Sequence, residues 1–126
     1  MSKLGKVALI VDDEVFARLF AAQILLDQGF IVLEAADAEE GLDVLERNDD
    51  VALLFTDISM PGEMDGIGLV SKVREDRPDV ALLVTSGRVE PSAGDIPGGG
   101  RFLAKPYTAQ SLMEAIRELE SGGGDT

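Results

Sequence analysis

Four short apolar runs, each ending in a residue that can handle a phosphoryl group or a metal ion, constrain the fold of this 126-residue chain more than any other feature. Val7-Ala8-Leu9-Ile10-Val11 leads into Asp12-Asp13-Glu14, and Val51-Ala52-Leu53-Leu54-Phe55 into Thr56-Asp57. Val80-Ala81-Leu82-Leu83-Val84 leads into Thr85-Ser86-Gly87, and Phe102-Leu103-Ala104 into Lys105-Pro106. Runs that are continuously apolar rather than alternating, and separated by segments of helical period, read as strands buried on both faces of a parallel sheet. Such sheets carry their ligand sites beyond the carboxyl ends of the strands. The polar residues are therefore expected to converge on one edge.

The intervening segments supply the helices. Val15, Leu19, Ala22 and Leu26 recur at i, i+4, i+7 and i+11 and predict the inward face of a first helix, with Gly29 as its C-terminal stop. Phe30-Ile31-Val32-Leu33 reads as a further strand. Asp37 with Glu40 three residues on is a capping-box-like start for a helix carrying Leu42 and Leu45 inward. Leu69, Val70 and Val73 mark a third helix ended by Pro78. Thr108 can cap a last one with Leu112, Ile116 and Leu119 on one face.

One segment breaks the alternation. From Gly87 to Arg101 the chain contains two prolines and five glycines and no apolar helical stripe, so a full crossover helix there carries a heavy propensity cost. A loop with at most one or two helical turns is expected. The expected fold is α/β: a flavodoxin-like (βα)5 three-layer sandwich on a five-stranded parallel sheet of order 2-1-3-4-5, its fourth helix short or replaced by this Gly/Pro-rich loop.

Composition narrows the chemistry. A formal net charge of −13, from 24 acidic and 11 basic residues, argues against a nucleic-acid backbone or an anionic membrane surface as direct partner. There is no cysteine for a thiolate and no histidine for an imidazole base or a phosphohistidine. No stretch reads as a signal peptide or a membrane span, and a soluble, cytoplasmic protein is expected.

With the first and third strands adjacent, Asp12, Asp13 and Asp57 crowd at the sheet's switch point. Three carboxylates at short range repel unless a cation neutralises them or a proton is retained. A hard divalent ion, Mg²⁺ in the cell, is the natural counter-ion. The remaining residues fit phosphoryl transfer onto a carboxylate: Asp57 as nucleophile, Thr85 as hydroxyl donor, and Lys105 as the cation that pairs with a phosphoryl oxygen or, before reaction, with Asp57. Taken one at a time, these residues have plainer readings. Asp12-Asp13 could be helix-capping carboxylates, Asp57 a loop acid, Thr85-Ser86 an ordinary strand end and Phe102 plain core. Their order at successive strand ends is what tells against coincidence.

Over residues 5–121 the chain resembles a response-regulator receiver domain of bacterial two-component signalling, of the chemotaxis-regulator type. The matching residues are Asp12-Asp13, Asp57 within Phe55-Thr56-Asp57-Ile58-Ser59-Met60-Pro61-Gly62, Asp65-Gly66, Thr85-Ser86 and Lys105-Pro106-Tyr107. The resemblance implies that Asp57 is the phosphoacceptor and that Asp12, Asp13, Asp57 and the backbone carbonyl of Ser59 bind Mg²⁺. It implies that Thr85 and Lys105 contact the phosphoryl group, that the Lys105-Pro106 bond is cis, and that Phe102, three residues before the lysine, is a switch aromatic moving with Thr85. Lacking a hydroxyl, Phe102 could be read through packing alone. Ser59 and Gly87 are both small, and an open site with an unexceptional phosphoryl lifetime is expected. The Gly/Pro-rich segment falls where the family's fourth helix, part of its usual partner surface, belongs, which departs from the family pattern.

The implied function is that of a phosphorylation switch. A sensor histidine kinase or histidine phosphotransfer protein donates to Asp57, and the changed surface contacts a downstream protein target that the sequence does not identify. The chain, expected as a monomer or weak dimer, would not be an enzyme beyond Mg²⁺-dependent self-phosphorylation and autodephosphorylation. Residues 122–126 read as a flexible Gly-rich tail. An Asp-nucleophile phosphohydrolase is the alternative, but such enzymes typically place a second Asp two residues after the nucleophile, where this chain has Ser59. An FMN-binding protein of the same fold needs a Ser/Thr/Gly-rich phosphate loop after the first strand, where Asp12-Asp13-Glu14 would repel the phosphate.

Overall fold

The computed structural model describes residues 5–87, 91–92 and 94–122. Five parallel strands, β1 (Val7–Val11), β2 (Ile31–Ala35), β3 (Val51–Asp57), β4 (Ala81–Ser86) and β5 (Arg101–Ala104), form one sheet in the order β2-β1-β3-β4-β5. The helices are α1 (Val15–Asp27), α2 (Ala38–Arg47), α3 (Gly66–Asp76) and α4 (Ala109–Gly122). Successive residues of each strand point to opposite faces. Ala8, Ile10, Leu53, Phe55 and Leu83 therefore join the core under α1 and α4, while Leu9, Val11, Leu54, Leu82 and Val84 join the core under α2 and α3. Burial on both faces is why the central strands β1, β3 and β4 open as continuous apolar runs, while the edge strands β2 and β5 carry Glu34 and Arg101. Among the described residues no helix is long and apolar enough to cross a membrane.

Most local expectations hold for identifiable reasons. The Asp37 side chain accepts from the Glu40 N–H at 2.9 Å, and the Glu40 carboxylate reaches back to the Ala36 N–H at 2.7 Å, so α2 is capped from both directions. Asp65 caps α3 by accepting from Gly68 N–H at 3.0 Å, and Thr108 Oγ1 accepts from Ser111 N–H at 3.0 Å before α4. Gly29 has φ 93°, and the N–H groups of Gly29 and Phe30 bond back to Leu26 and Leu25, which closes α1 in a Schellman turn. That turn takes up Phe30, so β2 starts at Ile31 and runs on to Ala35. Helix α4 continues through Gly122, and residues 123–126 lie outside the described residues.

The inward face of α1 is not the predicted one. Val15, Leu19 and Leu26 are each about half exposed, and only Ala22 of the expected stripe is buried; the core side carries Ala21, Ala22, Ile24 and Leu25. The helix reads Val-Phe-Ala-Arg-Leu-Phe-Ala-Ala-Gln-Ile-Leu-Leu-Asp, apolar on nearly its whole circumference, so a periodicity argument has several stripes to choose from.

Between β4 and β5 the described residues contain turns and no helix. Ile96 packs against the core under α2 and α3, and Arg74 holds the segment by donating to the carbonyls of Gly98 at 3.2 Å and Pro78 at 2.8 Å. The expectation of a loop in place of the fourth helix holds for these residues; Arg88–Glu90 and Ala93 lie outside them.

Candidate phosphoacceptor site

The carboxyl ends of β1, β3 and β4 and the residue after β5 bring the predicted side chains together. Register pairs Val11 with Thr56 and Asp57 with Thr85, and Asp12 follows Val11 directly. Asp12, Asp13 and Asp57 each present a carboxylate oxygen within 4.8 Å of the others, with Asp12 and Asp57 buried and Asp13 exposed. The Lys105 ammonium lies across the pair of buried acids, 3.4 Å from Asp12 Oδ2 and 3.2 Å from Asp57 Oδ2. The Lys105-Pro106 peptide is cis.

Backbone groups complete the support. Asp12 Oδ1 accepts from Glu14 N–H at 2.9 Å, so this acid caps α1 as well as facing the cluster. Asp57 Oδ1 accepts from Ser59 N–H at 3.2 Å. Ser59 and Gly87 are exposed on the lining of an open crevice of about 740 Å³, which Asp13, Asp57 and Lys105 also line. Position 59 thus serves Asp57 with a peptide N–H and offers no carboxylate.

Burial raises the pKa of Asp12 against the lowering effects of the Glu14 N–H and Lys105, and nearby Asp57 adds to the rise. For Lys105, burial works against the ammonium, but Asp12 and Asp57 outweigh it and its pKa is raised. The two buried acids and the lysine are therefore one electrostatic unit. Tyr107 is pushed up to about 12 by burial and by the same two carboxylates. It packs its ring against Phe20 and Phe55 and stays a neutral phenol.

Thr85 is buried beside Asp57, and its hydroxyl donates to the Leu103 carbonyl on β5 at 2.6 Å rather than to the acid. Phe102 is half-buried against the core under α2 and α3, in register with Val84.

Two contacts escaped prediction, one of them at Gly66, which the sequence marked only as part of Asp65-Gly66. Gly66 opens α3 against the acceptor loop: its N–H donates to the Ile58 carbonyl at 3.0 Å, and a Cβ there would overlap the Asp57 carbonyl and lie 2.8 Å from Ile58 Cα. Only glycine permits that approach. Arg18, on α1, donates from NH1 to the Asp12 carbonyl at 2.7 Å and from Nε to Glu34 at 2.9 Å. Neither contact leaves a signal in residue type or spacing, because each depends on where two separate elements come to rest.

An all-oxygen donor set of three carboxylates suits a hard divalent cation such as Mg²⁺ and disfavours a soft one. With a buried carboxylate, a bridging ammonium and a hydroxyl in register across the sheet, the arrangement is consistent with the chemistry of an aspartyl phosphate.

Known proteins resemble the chain over most of its length. A chemotaxis protein CheY homolog of Campylobacter jejuni is 36% identical over 124 residues, covering 93% of this chain and 95% of that protein. The sensor kinase CckA of Brucella abortus is 32% identical over 115 residues, covering 88% of this chain but 12% of the kinase. The solved CheX-CheY-BeF3-Mg²⁺ complex of Borrelia burgdorferi superposes with a TM-score of 0.80 at 27% identity, covering 90% of this chain and 87% of that one. The sequence pattern described as the response regulator receiver domain matches residues 8–117. The match spans most of the chain, which therefore belongs to the response regulator receiver domain family, and its acid cluster is consistent with signalling by aspartate phosphorylation.

Proposed function

We propose that Asp57 is the acceptor and that the donor is a phosphohistidine on a sensor histidine kinase or histidine phosphotransfer protein. A carboxylate oxygen of Asp57 attacks phosphorus, the O–P bond forms as the P–N bond to the imidazole breaks, and the ring nitrogen departs with its electron pair. The observation that carries this reading is the Lys105 ammonium set between Asp12 and Asp57 within the three-carboxylate cluster. Asp12, Asp13, Asp57 and the Ser59 backbone carbonyl are the proposed holders of Mg²⁺. When bound, that ion neutralises charge on the transferring phosphoryl oxygens.

In the same reading Lys105 pairs with a phosphoryl oxygen, Thr85 leaves Leu103 to donate to another, and Phe102 repacks in response. The chemistry is the chain's own phosphorylation and dephosphorylation, and the output is altered contact with a downstream protein. Residues 5–121 form the signalling unit.

Two observations support the choice of donor. The resemblance to a sensor kinase, and to the receiver domain of a hybrid histidine kinase, supports a histidine-kinase donor. The exposed apolar face of α1 borders the site: Phe20 and Ala17 share a groove with Lys105, Pro106 and Tyr107, so a donor helix seated on α1 presents its histidine to Asp57.

Intact-mass measurement after incubation with acetyl phosphate and Mg²⁺ tests the assignment. Wild type is expected to gain one phosphoryl group and Asp57→Asn none. Equal adducts on both proteins, or none on either, would rule Asp57 out.

A further inference from the structure

Among the three acids, Asp13 is the one without support. Asp12 is held through its carboxylate by Glu14 N–H and Lys105, and Asp57 by Ser59 N–H and Lys105. The Asp13 carboxylate is exposed and has no hydrogen-bond or ion-pair partner among the described residues. Its placement therefore depends on the backbone that carries it.

That backbone is clamped. The Asp12 N–H donates to the Ala35 carbonyl at the end of β2 at 3.1 Å, and the Asp12 carbonyl accepts from Arg18 NH1 at 2.7 Å. The Asp12 carbonyl and the Asp13 nitrogen share one rigid peptide plane, so fixing the carbonyl fixes the direction in which Asp13 leaves it. Arg18 is in turn held by Glu34 at 2.9 Å, and the guanidinium side chain is only 17% exposed. A guanidinium can grip a carbonyl and a carboxylate at once through its fixed fork, which an ammonium on a flexible stem does not reproduce.

We propose that Arg18, oriented by Glu34, is a positioning residue that holds Asp13 in the cation-binding triad by clamping the Asp12 carbonyl. The inference rests on the reading that Asp12, Asp13 and Asp57 hold a divalent cation. Its sign separates it from simple electrostatics. Removing a positive charge beside an acidic cluster should tighten cation binding, whereas removing the clamp should weaken it.

The test is Mg²⁺ affinity by titration calorimetry on the whole chain for wild type, Arg18→Lys, Arg18→Gln and Glu34→Gln, with urea unfolding of each protein alongside. Both Arg18 variants are expected to bind Mg²⁺ on the order of 10-fold more weakly, the size of effect seen when a residue supporting metal ligands is removed. Glu34→Gln should shift affinity in the same direction by less. Arg18→Lys keeps the charge, so the question stays answerable even where Arg18→Gln fails to fold. Unchanged or tighter Mg²⁺ binding by Arg18→Lys and Glu34→Gln, with wild type binding normally, would overturn the clamp alone, even if the variants unfold more easily. A wild-type protein that binds no Mg²⁺ would remove the cation reading and the clamp with it.

Discussion

Helices α1 and α2 flank the same sheet from opposite faces and treat water in opposite ways. Helix α2 turns Ala38, Gly41 and Leu45 inward and gives solvent Glu39, Glu40, Asp43, Glu46 and Arg47. Helix α1 buries Ala21, Ala22, Ile24 and Leu25 and still gives solvent Val15, Leu19, Phe20 and Leu26 at about half exposure, with Phe16 at 87%. Single exposed apolar residues are ordinary, but a contiguous set on one helix marks a contact surface. The difference teaches that α2 is finished by the fold alone, while α1 keeps apolar side chains on its outer face, the face on which the proposed function seats the donor.

Stability measurements can break or sharpen that contrast. Leu25→Ala removes a fully buried side chain of α1 and should cost about 2–5 kcal/mol in urea unfolding. A loss below about 1 kcal/mol would mean that the helix is seated on some other face. Asp37→Ala removes the α2 cap and should cost about 1 kcal/mol, since the Glu40 N–H loses its acceptor. No loss would show α2 to be held by packing only. Phe16→Ser, on the outer face of α1, should change stability by no more than about 0.5 kcal/mol. A cost near that of Leu25→Ala would place Phe16 in the core and erase the contrast.

The same pair shows what could be read in the chain beforehand. Alternating charge and apolar residues give α2 one possible inner stripe, and the capping residues announce its start. In α1 the apolar residues close round the helix, and only the final packing selects Ala21, Ala22 and Leu25. The central strands β1, β3 and β4 were legible because burial on both faces leaves continuous apolar runs. So was the acid cluster, because Asp12, Asp13, Asp57 and Lys105 are the right residue types at successive strand ends. Gly66 was visible as part of Asp65-Gly66, but its closeness to the Asp57 carbonyl is a tertiary distance. Arg18 looked like one charged residue in an apolar helix, and its two acceptors lie on different elements.

The hydrogen bond from Thr85 to Leu103 has a consequence for how the event at Asp57 spreads. Three carboxylates and one ammonium leave the resting cluster two negative charges in excess, which one divalent cation balances. Turning the Asp57 carboxylate into an acyl phosphate makes the cluster about one unit more negative. A neutral hydroxyl-to-carbonyl bond contributes roughly 0.5–1.5 kcal/mol, and one to a charged acceptor about 1.5–3 kcal/mol. With the roles proposed above, the hydroxyl's single proton has two claimants, and the added charge decides between them. When the hydroxyl turns away, the Leu103 carbonyl on β5 loses that donor, one residue from Phe102. In the proposed function, the message that leaves the site is thus a debt of one hydrogen bond transferred to the sheet's edge strand.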